Sequence, residues 1–516
     1  MKSPKIGIFT LIFVLGILPS AMAQNRLEEP ARNVAVPYPT KDTPKAIDRG
    51  ALTADTTPLS ITIALRLRDL NAAENLLIAL HTPGDPQFHH FLTAVQFVAR
   101  FAPTDADVAK VTAALGKYGL TAERATATTL KVTGLPADME RTFSVSLHSY
   151  EVSTHDDVPG YTFHAPLTHA TIPAEISASV AAVVGLDSRP SFRPAIRTGS
   201  AKLRMASTVP QTTTPDAPGY WTPIDFADYY DAQPLYNHGV TGKGRTLGIV
   251  TLASFTLSDA FAYWSAIGLS VNPNRIQIVN VDGGPGAPSD ASGSGETASD
   301  VELSGGIAPG ANIIVYQAPN TNQGFVDDFA AAIDANTAET VSTSWGVGWE
   351  WFGNLENGPV TDPMTRQTMS FIQAAHELFV RAAIQGQTMF AVSMDGGAYD
   401  VNWDLSCLGP YSPSQPYSCS QPLTVDYPAS DPAVTATGGT TLPGLQQFCL
   451  NAGCTSIYDV NVPHERVWAE DYLEGLCQAQ GIPDPVACGI FPYGSGGGVS
   501  ISFLLPSYQF SLPGTE

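Results

Sequence analysis

The sequence predicts an α/β fold: a mainly parallel sheet with helices on both faces, preceded by a smaller α+β unit. Three observations carry this. From about Tyr220 onward, continuous apolar and β-branched runs alternate with helix-period stretches, the pattern of strands buried on both faces. Between residues 59 and 187, half-buried alternating strands are interleaved with amphipathic helices. The two regions are separated by a segment of reversed charge and high Pro and Thr content, and 516 residues are too many for one core.

Taken in order, Lys2 and Lys5 precede an apolar run from Ile6 to Leu18, and Ala21-Met22-Ala23 follows it. A short basic region, a brief apolar core and small residues at the end predict a secretory signal over residues 1–23, cleaved after Ala23. Residues 24–58 are polar, Pro-rich and without periodicity, and are expected to form a tether. The α+β unit is expected over 59–187. Leu59–Asp69 alternates like a strand. Thr104, with Asp107 three residues on, caps a helix whose stripe is Val108, Val111, Leu115 and Tyr118, and Gly119 stops it. Thr128–Pro136 reads as a strand, "PADMERTFSV" as a helix and Ser146–Val152 as a returning strand.

Residues 188–216 carry Arg189, Arg193, Arg197, Lys202 and Arg204, with no acid between Ser188 and Pro215. This reads as an exposed linker open to proteolysis. Over 217–516, strands are expected within Gly244–Leu252, Ala311–Pro319, Thr340–Gly346 and Gln387–Gly397. Helices are expected over "GFVDDFAAAIDAN" and over a long stretch from Met364 to Gly386.

Composition excludes several functions. The net charge of −22, from 48 acids against 26 bases, repels phosphate and argues against a nucleic-acid partner. Past the signal no stretch is apolar enough to cross a membrane, so a soluble, exported monomer is expected, extracellular or periplasmic. All six cysteines lie between Cys407 and Cys488, an even set that in an exported chain reads as disulfides. The preferred pairing joins sequence neighbours: 407–419, 449–454 and 477–488. No Cys-x-x-Cys is present and His464 is the only nearby histidine, so no zinc site is expected.

The candidate chemistry lies in "GSGETASDVELSGGIAPGA", Gly293–Ala311. Only 14% of the chain is charged, yet Glu296, Asp300 and Glu302 crowd together there without a base. If a helix opens here, Glu296 and Asp300 share a face. Acids in a first turn also suit the helix dipole, which alone would explain them. The sharper reading is that one carboxyl is held ionised as a base while the other remains an acid. Asp395, at the end of an apolar strand, is the second candidate, against the plainer reading of an Asp-Gly turn.

These segments taken together resemble the sedolisin family of serine-carboxyl peptidases, including the kumamolisins. "DPQFHHFLTAVQFVARFAPT", "ERTFSVSLHSYE" and "VAAVVGL" look like that family's activation segment. "GVTGKGRTLGIV", "GETASDVELSGGIAPGANIIVY", "VSTSWG", "YPASDPAVTATGGTTL" and "GSGGGVSISFLLPSYQ" follow its catalytic pattern in order. The resemblance implies a subtilisin-like sheet, incomplete at the C-terminus, behind a ferredoxin-like pro-domain that inhibits the enzyme and assists its folding. It implies a secreted, acid-active serine-type endopeptidase precursor acting on proteins and peptides. Glu296 would be the general base, Asp300 its partner and Asp395 the oxyanion donor. Ser344, Trp345 and Gly346 would lie beside the substrate backbone.

Seven of the ten histidines lie at or before His169, and none of the others has a His-Gly-x-His context, which counts against a histidine-dependent enzyme. The family's nucleophile lies in a Ser-Gly-Thr-Ser run, and no Gly-Thr-Ser occurs in the 516 residues. The expectation is therefore a precursor without its terminal portion, inactive as it stands. No metal or cofactor is expected within it, the family's calcium site falling further on. The rival expectation is a secreted pseudopeptidase that binds peptides or a partner. Met394 stands where the family usually has glycine.

Overall fold

The computed structural model describes residues 46–154, 160–168, 170–195, 221–347, 360–361, 368–402, 425–451, 453–500 and 502–510. The signal and most of the tether, the Cys407–Cys419 pair and residues 196–220 lie outside the described residues.

The N-terminal unit comprises β1 (Ile47–Ala51), β2 (Leu59–Leu65), α1 (Leu70–His81), α2 (Ala94–Phe101), α3 (Asp105–Gly116), β3 (Thr121–Arg124), β4 (Thr129–Gly134), α4 (Pro136–Phe143), β5 (Leu147–Val152), β6 (Tyr161–Pro166) and β7 (Val180–Val184). Its main sheet is antiparallel in the order β3-β4-β2-β7, a β-α-β-β-α-β succession of the ferredoxin-like kind. Alternation along β2 and β4 sends Ile61, Ile63, Leu130 and Val132 into a core with Val111 and Leu115 of α3 and Phe143 of α4. α3 begins as its sequence demands: the Thr104 hydroxyl accepts the Asp107 N–H, and the Asp107 carboxylate accepts the Thr104 N–H. A second sheet, β1-β5-β6, flanks this core.

After a two-residue strand β8 (Arg193–Pro194), the C-terminal unit opens with α5 (Pro223–Tyr229) and α6 (Gln233–Asn237). There follow β9 (Thr246–Thr251), α7 (Leu257–Ala266), β10 (Ile276–Asn280), α8 (Ser294–Ile307), β11 (Asn312–Gln317), α9 (Asn322–Ala335), β12 (Thr340–Thr343) and β13 (Trp345–Gly346). Then come β14 (Val360–Thr361), β15 (Thr368–Met369), α10 (Phe371–Ile384), β16 (Thr388–Val392) and β17 (Thr435–Thr437). Six strands form one parallel sheet in the order β10-β11-β9-β12-β16-β17.

Parity within each strand divides its two faces. Ile249, Ile313 and Val315 pack with Trp264 and Val301 beneath α7 and α8, whereas Val250, Ile314 and Tyr316 pack with Phe329 and Phe379 beneath α9 and α10. Both faces being covered is why these strands read as unbroken apolar runs.

Two expectations need correcting. The long helix begins only at Phe371, because Ser370 is extended and Thr368–Met369 pairs with β14. The strand β10 was not foreseen: it is a short edge strand, alternately polar, with little apolar signal.

Beyond the sheet stands a smaller lobe of β18 (Thr440–Thr441), β19 (Gly444–Cys449), β20 (Ile457–Val462), β21 (Arg466–Val467), α11 (Glu474–Ala479) and α12 (Pro485–Cys488). Disulfides Cys449–Cys454 and Cys477–Cys488 join sequence neighbours, as expected, around a core that includes Phe448, Val460, Leu476 and Ile490. Among the described residues no helix is long and apolar enough to cross a membrane, and no group of three or more His, Cys, Asp or Glu is placed to hold a metal ion.

Candidate active site

The site lies at the carboxyl ends of the parallel strands, where open α/β sheets leave side chains and helix N-termini converging. α8 starts there. Its first turn is tied to the end of β9, since the Thr297 hydroxyl donates to the Ala253 carbonyl and lies 2.7 Å from the Thr251 hydroxyl. Its far end is tied by the buried Arg275, whose guanidinium donates to the carbonyls of Gly305, Ala308 and Ala311.

Glu296 and Asp300, one turn apart on α8, fall on one face. Glu296 is only 8% exposed. Burial pushes its carboxyl up to about 8, helped by the charge of Asp300, eased by the Ser344 hydroxyl, and raised a little further by Asp395. Asp300 is pushed up to about 7 by burial, again eased by Ser344. The Ser344 hydroxyl donates to Asp300 Oδ1 at 2.7 Å, while Oδ2 is inaccessible and has no hydrogen-bond partner among the described residues. Both carboxyls are raised in this state, Glu296 further than Asp300. Burial favours the neutral form of both.

Asp395 follows β16 and is 9% exposed. Its backbone is clamped from one side: the Gly494 N–H donates to the Asp395 carbonyl, the Gly397 N–H to that of Gly494, and the Gly496 N–H to that of Ser393. Met394 takes φ +60°, a left-handed backbone that ordinarily favours glycine and costs a side-chain-bearing residue about 1–2 kcal/mol. Its side chain is nonetheless buried.

Ser344, Trp345 and Gly346 have a partner strand. β13 pairs antiparallel with β8, Trp345 opposite Pro194 and Gly346 opposite Arg193, and the Ala195 N–H donates to the Ser344 carbonyl at 2.9 Å. Gly293, at φ +89°, leaves room for this. A Cβ there would lie 2.8 Å from Trp345 Cη2 and 3.0 Å from Pro194 Cγ.

Residues 192–195 are therefore docked against the C-terminal unit. Phe192 is buried, stacked on Phe325 at 4.4 Å, and Asn320 both accepts its N–H and donates to its carbonyl. A fully buried Phe contributes roughly 1.5–3 kcal/mol. The lone aromatic in a basic stretch was the available signal.

Two histidines of the C-terminal unit do other work. His376 is buried between Asp431 (Nδ1 to Oδ2, 2.9 Å) and Glu74 of α1 (Nε2 to Oε1, 3.2 Å), which hold it charged, pushed up to about 10 against the opposing effect of burial. His238 bonds the Pro234 carbonyl through Nδ1.

Residues 44–189 match the family "Pro-kumamolisin, activation domain". The chain is 30% identical to sedolisin of Pseudomonas sp. (strain 101) over 468 residues, 88% of this chain and 68% of that protein. The protein belongs to the sedolisin family of serine-carboxyl peptidases. Kumamolisin of Bacillus sp. (strain MN-32) is 29% identical over 492 residues, 93% of this chain and 74% of that one. Xanthomonalisin of Xanthomonas sp. (strain T-22) is 28% identical over 491 residues, 90% of this chain but only 52% of its own length. A solved structure of Pseudomonas sedolisin (serine-carboxyl proteinase) complexed with two molecules of pseudo-iodotyrostatin matches 57% of this chain and 67% of its own, with 26% identity and a TM-score of 0.40. By descent, then, this sedolisin-family chain is a peptidase precursor with an activation segment.

Proposed function

We propose that the edge of Trp345–Gly346 and the carboxyls beside it, Glu296, Asp300 and Asp395, form the groove that is the substrate seat of a secreted, acid-active endopeptidase precursor. Glu296 accepts the proton of a serine nucleophile, Asp300 orients Glu296 and sets its charge, and a protonated Asp395 donates to the oxyanion. The observation that carries this reading is the chain's own linker lying as a strand on Trp345–Gly346, beside two buried carboxyls that are raised by burial, Glu296 also by the charge of Asp300. A peptide substrate would add to the same edge by main-chain hydrogen bonds.

Latency belongs to the same proposal. With the linker seated, Glu296 is held neutral and is no base. Departure of the linker admits water, and a hydrated carboxyl returns towards its ordinary value near 4, where it works in acid that would already have protonated a histidine with pKa about 6.5. Signal cleavage, export and maturation within 188–216 belong to this proposal.

The serine itself is not found in a Gly-Thr-Ser context within the 516 residues. The test is expression from the gene to its stop codon, followed by assay on denatured protein at pH 3–4. Cleavage that is lost in Glu296→Gln and in Asp300→Asn is the expected result. Binding of extended peptides with no cleavage would instead favour a secreted pseudopeptidase.

A further inference from the structure

α1 of the N-terminal unit packs on α10 of the C-terminal unit, with Ala73, Leu76 and Leu80 in one cluster with Val380 and Ile384. One turn before Val380 on α10 stands His376, a buried histidine that the groove does not use. Its Nδ1 lies 2.9 and 3.1 Å from the two carboxylate oxygens of Asp431. Its Nε2 lies 3.2 Å from Oε1 of Glu74, on α1.

The parts that orient this ring belong to the C-terminal unit. The Asp431 side chain is wholly buried and accepts the Ala433 N–H at 2.9 Å, which fixes the carboxylate. Phe503 sets its ring 5.2 Å from the imidazole. Burial opposes the charge on His376, but Asp431 and then Glu74 outweigh it, so both ring nitrogens donate. An imidazole anchored at Nδ1 by a carboxylate presents its other N–H in a set direction. Here that direction leads out of the unit to Glu74, whose side chain is 28% exposed and so within reach of solvent.

We propose that Asp431 and His376 form a carboxylate-binding site, by which the C-terminal unit recognises Glu74 of the N-terminal unit and which accepts a free carboxylate when that side chain is missing. An ordinary ion pair between the units depends on both partners being held in place by their chains. A site already built on one side does not, because its donor is oriented before the ligand arrives. The inference goes beyond the chemistry of the groove and needs neither cleavage nor a nucleophile.

The experiment uses the full chain with Glu74→Ala, which removes from the site the atoms that acetate would supply. Hydrogen exchange of α1 is read by mass spectrometry near neutral pH, with β9 and β11 as internal controls for folding. Glu74→Ala should speed exchange of α1 by about tenfold, and Glu74→Gln nearly as much, since the site binds the charge. In Glu74→Ala, about 0.2 M sodium acetate should slow that exchange at least about threefold relative to sodium chloride of the same ionic strength. The parent, with Glu74 in place, should not respond. Acetate acting no better than chloride would overturn the proposal, and so would an equal response of the parent, which would place the effect elsewhere on the protein. Glu74→Gln keeps the size of the side chain, so it decides the need for charge even where Glu74→Ala disturbs the controls. Parent-like protection in that variant would also overturn the proposal.

Discussion

Two groups of carboxyls in this molecule have opposite company. Along the contact between the two units acids meet donors, although Asp327 is also raised by burial and by the neighbouring Asp282. Asp282 faces Lys131, Asp327 accepts the Thr62 hydroxyl, Asp334 accepts the Ala127 N–H and pairs with Arg381, Glu377 accepts the Leu67 N–H, and Asp431 holds His376. In the groove, Glu296 and Asp300 meet each other, Asp395 and one hydroxyl. A buried acid matched to a cation or an N–H fastens surfaces together, whereas acids crowded side by side in burial hold on to protons. Ways to break or sharpen that contrast follow, from the largest expected effect to the smallest.

Breaking the fastening should be most costly at His376. In His376→Ala the fully buried Asp431 loses its counter-ion, and a loss of about 3–5 kcal/mol is expected. Urea unfolding near neutral pH would measure it, and a loss within the scatter of surface variants would make the pair ornamental.

The groove pair should announce itself through pH. Folded values near 8 and 7 stand above those of the unfolded chain, so this contribution is complete below about pH 4 and disappears as pH rises through 7 and 8. The melting temperature should fall by several degrees from pH 4 to pH 8, and Glu296→Gln with Asp300→Asn should flatten the profile. Glu377, raised by burial to about 7, has the same sign, so docking through it also weakens with rising pH. Acid alone would not free the N-terminal unit through this group. Calorimetry across pH would reveal a contrary slope.

Ser344→Ala removes the one hydroxyl that bonds Asp300, at a cost of about 1–2 kcal/mol, and should push the Asp300 carboxyl higher still. An infrared titration of the buried carboxyls would follow both effects. Least of all, Lys131→Met breaks a half-exposed ion pair with Asp282 and should cost no more than about 1 kcal/mol, reduced further by salt. A larger loss in urea unfolding would mean that Lys131 neutralises the neighbouring Asp327 as well.

Much of this was legible in the residues. The Thr104–Asp107 cap, the apolar strands on either side of α8 and the crowding of Glu296 and Asp300 are local signals, because periodicity, capping and charge spacing are written within a few neighbours. What escaped was non-local. The Ser344 hydroxyl finds Asp300 from 44 residues away, and Phe192 fills a slot built by Phe325 and Phe371. The strand β10 owes its place to β11 rather than to its own composition. Over residues 188–195 the charge sum was an incomplete guide. The basic stretch suggested exposure, yet Arg189 pairs with the buried Asp187 and the following residues run into the groove.

The oily layer shared by the two units has one more consequence. Ala64, Ala181, Ala182, Val184 and Phe192 lie in the same packed cluster as Phe325, Phe329, Phe371 and Phe379. A single chain makes this seam, but a severed chain must divide it. Whichever piece keeps α9 and α10 inherits a greasy wall with nothing to lean on. The cleavage proposed above would therefore create stickiness as well as access, and the stripped C-terminal unit should tend to clump unless the discarded half lingers or another surface takes its place.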